Sequence, residues 1–200
     1  PLDFAQEGHR LEFAEASNTN SDLIFKGIVF NEMKGAMSSV PSTLWQTLCK
    51  YLYPSTTYHY NSGGDPEHIP DLSYDDLAAF YRTHYHPSNA IFMTYGSQPA
   101  HEHHARFEAR ALCHFQKLDE HIGVNDEKRY HAPVRVQESY AIGQNDTADA
   151  KTHIVLGWLL GKNTDLLDSL TAQLVSGVLL DNSASPLQLL LETTDLGTSP

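Results

Sequence analysis

Basic residues are scarce in this chain: 13 Lys and Arg stand against 25 Asp and Glu, a formal charge of −12. Nucleic-acid binders need a basic surface that neutralises phosphates and releases their counterions, so this balance argues against a nucleic-acid partner. An acidic balance keeps many proteins in solution and also attracts basic peptides, and it speaks to association rather than to fold. Cysteine is sparser still. Cys49 and Cys113 are the only two, with no CxxC spacing, so neither a disulfide framework nor a thiolate zinc site is suggested and reduced, buried thiols are the expectation. No apolar run approaches the ~18 residues of a membrane span; the best, residues 153–161 and 170–180, are broken by polar residues or glycine. The chain therefore reads as soluble, with no membrane partner. It also lacks a signal peptide, but it begins at Pro1 without Met and stops at Pro200, so a chain cut at both ends is expected and that absence carries little.

Apolar residues make up 40% of the 200, enough to bury a real core, and the length suits one large domain or two small ones. Arg10-Leu-Glu-Phe13 alternates as a strand does, and the polar run 16–22 reads as a loop rich in helix-capping residues. From Leu23 to Met37 the apolar residues Ile24, Phe25, Ile28, Val29, Met33 and Met37 recur at helical spacing, predicting an amphipathic helix with Glu32 inside its apolar stripe. Pro41 with Leu44, Leu48 and Leu52 opens a second helix, which Pro54 stops. Residues 55–70 form a loop whose Ser62-Gly-Gly-Asp-Pro66 signals tight turns. Ser73 and Asp76 have the spacing of a capping box for a helix through Leu77, Phe80 and Tyr81 that ends near Tyr85.

Asn89 to Tyr95 reads as a buried strand and Glu102 to Leu118 as a helix. Residues 119–133 are polar, contain Gly123 and Pro133, and are the best linker, so the domain boundary is placed there: 1–118 before it and 134–200 after it. Beyond it, Val134 to Ile142 and Thr152 to Leu160 read as strands, followed by a helix from Thr164 to Leu180 and a short one opening at Ser185-Pro186. Strands and helices without strict alternation favour an α+β fold, an antiparallel sheet with helices on one face.

A carboxylate inside an apolar stripe must be compensated, because an unpaired buried charge costs several kcal/mol. On physics alone a Lys or Arg is the commoner partner for Glu32 and a metal the rarer one; periodicity does not decide between them. His101, His103 and His104 stand close enough to chelate a metal, but without Cys or Asp partners they read as solvated. The turn around Ser62-Gly-Gly-Asp65 lacks the Lys of a phosphate-binding loop, His86-Pro-Ser-Asn89 reads as a corner between helix and strand, and Trp45, Trp158 and the tyrosines read as core or chamber wall.

The segment Phe25-Lys-Gly-Ile-Val-Phe-Asn-Glu-Met-Lys-Gly-Ala36 resembles the signature helix of the presequence proteases, a branch of the pitrilysin and insulysin zinc metallopeptidases. Gln6-Glu-Gly-His-Arg-Leu-Glu12, Tyr53-Pro54 with Ser62-Gly-Gly-Asp-Pro66, and Tyr85-His-Pro-Ser-Asn-Ala90 with Tyr95-Gly96 follow that family's order over about half the chain; the second half is similar more weakly, through Leu190-Leu-Glu-Thr-Thr-Asp-Leu-Gly197. The resemblance implies that Glu32 is the third ligand of a catalytic Zn2+. The other two ligands belong to an HxxEH motif, in which i, i+4 spacing puts both histidines on one helical face beside the Glu that acts as general base.

No HxxEH occurs here, so the motif is expected upstream of Pro1 and the 200 residues alone are expected to be inactive. The resemblance further implies pitrilysin-type α+β domains pairing into a chamber, with 1–118 the later part of the first and 134–200 the beginning of the second. It implies unfolded peptides such as cleaved targeting presequences as substrates, and a mitochondrial matrix or bacterial cytoplasmic or periplasmic location. A non-catalytic homologue serving in binding or assembly is the rival. A half-built sheet would leave strand edges and apolar surface bare, so association with the remainder of the peptidase or a complementary chain is expected.

Overall fold

The computed structural model describes residues 1–120 and 122–197. The chain divides into two compact units, one of Pro1–Glu127 with Arg135–His153, the other of Lys128–Val134 with the residues from Ile154 onward.

The first unit opens with a turn of π-helix, Phe4–Gly8, and strand β1, Arg10–Phe13. β1 pairs antiparallel with β2, Leu23–Lys26, placing Arg10 opposite Lys26 and Phe13 opposite Leu23. Arg10 ties the two pieces together: its guanidinium donates to the carbonyls of Ala5 and Gln6 at 3.2 Å and to Glu12 at 2.7 Å. Lys26 Nζ lies 3.1 Å from the other oxygen of Glu12. The Arg10 hydrogen bond, then that of Lys26, holds the Glu12 carboxyl below the usual range.

The helix expected from Leu23 begins only at Ile28: α1 is Ile28–Met37, and residues 23–26 are strand. Ile24 and Phe25 fit a helical count, but a short apolar run fits a strand equally, and the neighbouring β1 decides. The phase of α1 also differs from the expected stripe. Its inner face carries Phe30, which is buried, with Met33 and Met37 half-buried, at i, i+3 and i+7. Ile28 and Val29, 47% and 38% exposed, share the outer face with Glu32.

α2, Val40–Leu52, follows at once, with Pro41 in its first turn and Cys49 buried. The Thr43 hydroxyl lies 3.1 Å from the carbonyls of both Met37 and Ser39, which fixes the corner between the helices. The loop after Pro54 packs the core residue Ile69 under a turn whose Gly64 has φ +95°, a conformation that favours glycine. α3, Tyr74–His84, begins at the predicted capping box: Asp76 N donates to Ser73 Oγ, while Ser73 N and Oγ both donate to the Asp76 carboxylate. α4, Ala100–Arg110, is shorter than the predicted helix and gives way to a 3-10 turn at Leu112–His114. The chain then runs without regular structure, anchored where Leu118 N donates to Ser88 Oγ, where Ser55 N and Oγ donate to Glu127, and where the Tyr51 hydroxyl donates to Glu138.

Residues 89–95, 134–142 and 152–160, expected as strands, are unpaired, and among the described residues β1 and β2 form the only ladder. The described residues are thus α+β, with a two-stranded antiparallel sheet in place of the larger one expected within these 200 residues. Alternating side chains make a strand possible, but a neighbouring edge is needed to make one. Ile91, Met93 and Tyr95 stand fully in solvent, as does most of Ile154, and Trp45 and Trp158 are exposed rather than core. Cys113 is likewise exposed, against the expectation of two buried thiols.

In the second unit, α5, Leu166–Leu180, starts where the Asp165 carboxylate accepts from Leu167 N and Asp168 N, and it packs on α6, Pro186–Thr193. Leu166, Leu170, Leu174, Val175 and Val178 of α5 remain exposed; a helix apolar on this many sides belongs in a larger body. The whole chain exposes 16981 Å², where a folded monomer of 22.3 kDa exposes about 9,400 Å².

Candidate metal centre

Glu32 lies in the second turn of α1. The helix starts because Gly27 takes a non-helical conformation and its carbonyl receives Asn31 N at 3.0 Å, and it ends where Ser38 N and Oγ both reach the Gly35 carbonyl. The Glu32 side chain is exposed. Among the described residues no hydrogen bond or ion pair reaches its carboxylate. The nearest basic side chain in sequence, Lys34, sits 6.0 Å from the Phe30 ring centroid, and the cations Arg10 and Lys26 are engaged by Glu12. The cost of a buried, unpaired carboxylate therefore does not arise, and the cation expected on physical grounds is not there. What remains is a free oxygen donor on an outward apolar face.

Zinc takes three or four protein ligands. Among the described residues no group of three His, Cys, Asp or Glu side chains converges on one point. Glu32 fits the chemistry of one oxygen donor; the described chain alone does not hold the full set.

The other candidates have structural occupations. His84 stacks on Phe80 and reaches its carbonyl through Nδ1, and His86 Nδ1 accepts from Ser88 N in a 3-10 turn that follows α3 but leads into no strand. His101, His103 and His104 lie in the first half of α4, where His103 stacks on Phe107. In the Ser62–Asp65 turn, Gly63 N donates to Asn61 Oδ1 and Gly64 N to the Asn61 carbonyl, so these amides are spent on the turn itself.

The fold does bring three of the sequence motifs together on α1. The Gly8 carbonyl abuts Gly27, where a Cβ would lie 1.9 Å from its oxygen. Aromatic contacts run from Phe4 through His9 and Phe25 to Phe30. On the inner face, Gly63 lies against Met33, and Asn61 Nδ2 is 3.6 Å from Met37 Sδ. These contacts escaped the sequence reading, which took the two glycines as parts of a motif and a turn; glycines flanking a helix that carries a charged residue are the signal that could have found them.

Residues 71–200 match the family described as Peptidase M16 inactive domain. Over 200 residues the chain is 40% identical to the mitochondrial presequence protease of Xenopus tropicalis, covering 98% of this chain and 19% of that protein. The mouse (Mus musculus) presequence protease is 38% identical over 198 residues, covering 98% and 19%, and that of Schizosaccharomyces pombe 32% over 197, covering 98% and 20%. The chain belongs to the M16 peptidases, in their presequence protease family. It spans about a fifth of the length of these relatives. The match to the inactive domain begins at Asp71, so α1 and Glu32 precede it. Among the described residues no helix is long and apolar enough to cross a membrane.

Proposed function

We propose that this chain is part of a zinc metalloendopeptidase of the mitochondrial matrix that degrades unfolded peptides of limited size, such as cleaved targeting presequences. The observation that carries this reading is the similarity, at 40% identity across 98% of the chain, to a protein named as a mitochondrial presequence protease. In this reading residues 1–118 are the later part of a first peptidase domain, 119–133 the linker and 134–200 the beginning of a second. Glu32 supplies one oxygen ligand to zinc, and an HxxEH helix elsewhere in the polypeptide supplies two histidines and the general base. When bound, zinc provides Lewis-acid activation of water for attack on a peptide carbonyl. The role of this chain is to hold one donor free: among the described residues no cation pairs with the carboxylate, and the exposed Ile28 and Val29 beside it offer an apolar seat for another helix. The unpaired segments 89–95, 134–142 and 152–160 supply edges for the remainder of the same peptidase or a complementary chain.

The test is zinc content per chain and peptidase activity of the full-length protein, with and without Glu32→Gln. About one zinc per chain, lost together with activity in the variant, supports the assignment; activity that survives the substitution sinks it. The match of 71–200 to a family described as an inactive domain favours a second reading, a non-catalytic homologue serving in binding or assembly. A full-length protein that carries no zinc would establish that reading instead.

A further inference from the structure

Helix α1 carries Glu32 and is met at its N-terminal end and on its inner face by two glycine-bearing segments. At its N-terminal end, the hydrogen of Gly27 faces the backbone of the π-helical turn. A Cβ there would lie 1.9 Å from the Gly8 oxygen, 2.6 Å from the Gly8 carbonyl carbon and 2.8 Å from His9 Cα. All three are backbone atoms, in a segment itself pinned by Arg10 through the carbonyls of Ala5 and Gln6 and by the His9 ring 2.9 Å from the Leu72 carbonyl. No side-chain rotation relieves that overlap. One turn further on, the inner face of α1 meets the turn at residues 61–64. A Cβ on Gly63 would lie 2.3 Å from Met33 Sδ and 3.0 Å from Met33 Cε. Met33 is the residue next to Glu32, and Asn61, which holds Gly63 N at 3.0 Å, also contacts Met37.

We infer that Gly27 and Gly63 are positioning residues for the metal ligand: they let the Gly8 backbone and the turn at Gly63 approach α1 closely, which sets where the helix presents the backbone of Glu32. The inference rests on the reading of Glu32 as a zinc ligand. It assigns a task to the segments around Gly8 and Gly63, which otherwise stand in the sequence only as motifs. A ligand that shares a metal with donors on another helix must be held to within a fraction of an ångström, and its supports are felt in affinity: outer-shell changes typically cost about 10- to 100-fold in metal binding. Gly27→Ala forces α1 away from a rigid backbone and has the larger effect. Gly63→Ala displaces only the flexible end of Met33 and has the smaller one.

The experiment measures the zinc dissociation constant of the full-length protein by competition with a chelator, on variants whose circular dichroism shows them folded. Expected are a weakening of about 10-fold or more for Gly27→Ala and a smaller but measurable one for Gly63→Ala. In a Met33→Ala background, where the overlapping thioether is gone, Gly63→Ala should cost nothing further; that coupling separates the contact from general destabilisation. Should Gly27→Ala fail to fold, the Gly63 and Met33 cycle carries the test. Wild-type zinc affinity in folded Gly63→Ala, with Glu32→Gln impaired, overturns the positioning role and leaves the ligand assignment standing, as does an equal loss in both Met33 backgrounds. Wild-type affinity in Glu32→Gln overturns the ligand assignment itself and this inference with it.

Discussion

Ser73→Ala removes one half of the capping box that starts α3, and its effect is calculable from the bonds the structure shows. The hydroxyl accepts from Asp76 N at 3.2 Å and donates to Asp76 Oδ2 at 2.6 Å, while Asp76 Oδ2 also accepts from Ser73 N at 3.0 Å. The alanine loses the first two bonds and keeps the third. Water replaces what is lost because the site is exposed, so the expected cost is about 1 kcal/mol, in the middle of the range for N-cap truncations. That is roughly a fivefold rise in the opening equilibrium of the helix. Native-state hydrogen exchange of the α3 amides in the full-length protein reads this directly.

The pH dependence has a defined sign. Hydrogen bonds from the Ser73 hydroxyl, then from its backbone N, hold the Asp76 carboxyl below its usual range. A group with a depressed folded pKa contributes stability that is present above its unfolded pKa and lost as pH falls through the folded one. The difference between wild type and Ser73→Ala should therefore shrink on acidification below the normal carboxylate range. Unchanged α3 exchange at neutral pH, or a difference that persists undiminished in acid, would refute the reasoning.

Further outcomes follow from other contacts. Glu127→Ala removes the acceptor for both Ser55 bonds, so limited proteolysis between residues 119 and 133 should become several-fold faster at a protease concentration that leaves α2 intact. The β1–β2 pair should loosen in acid, because Glu12 is held below the usual carboxyl range by Arg10 and Lys26; exchange of the Glu12 and Ile24 amides, which face each other across the ladder, compared with and without Arg10→Ala, checks it. The 200-residue chain on its own should self-associate with rising concentration in sedimentation velocity, and Ile154→Asp with Leu156→Asp should reduce this, since both side chains stand in solvent, 84% and 73% exposed. In the same chain iodoacetamide should alkylate Cys113 well before Cys49, whose thiol is buried and pushed up by that burial; equal rates would contradict the packing of α2.

Local chemistry was legible in the sequence wherever neighbours along the chain decide the outcome. The capping box at Ser73 and Asp76, the helix begun near Pro41 and stopped by Pro54, the turn at Ser62-Gly-Gly-Asp65 and the helix start at Ser185-Pro186 depend on bonds spanning two to four residues, and the structure forms each of them. The family likewise came from a contiguous run around Glu32. Decisions that rest on distant partners were not legible. Residues 23–26 became strand because β1 lies beside them, whereas residues 89–95, 134–142 and 152–160 have the pattern of strands and no edge to join. The phase of α1 was set in the same way: packing buries Phe30, half-buries Met33 and Met37 and turns Glu32 outward, because the backbone of Gly8 and the turn at Gly63 meet the helix on its other sides. Sequence periodicity reports which faces of an element can be buried; which one is buried depends on surfaces brought up from elsewhere in the chain, and only the tertiary structure supplies those.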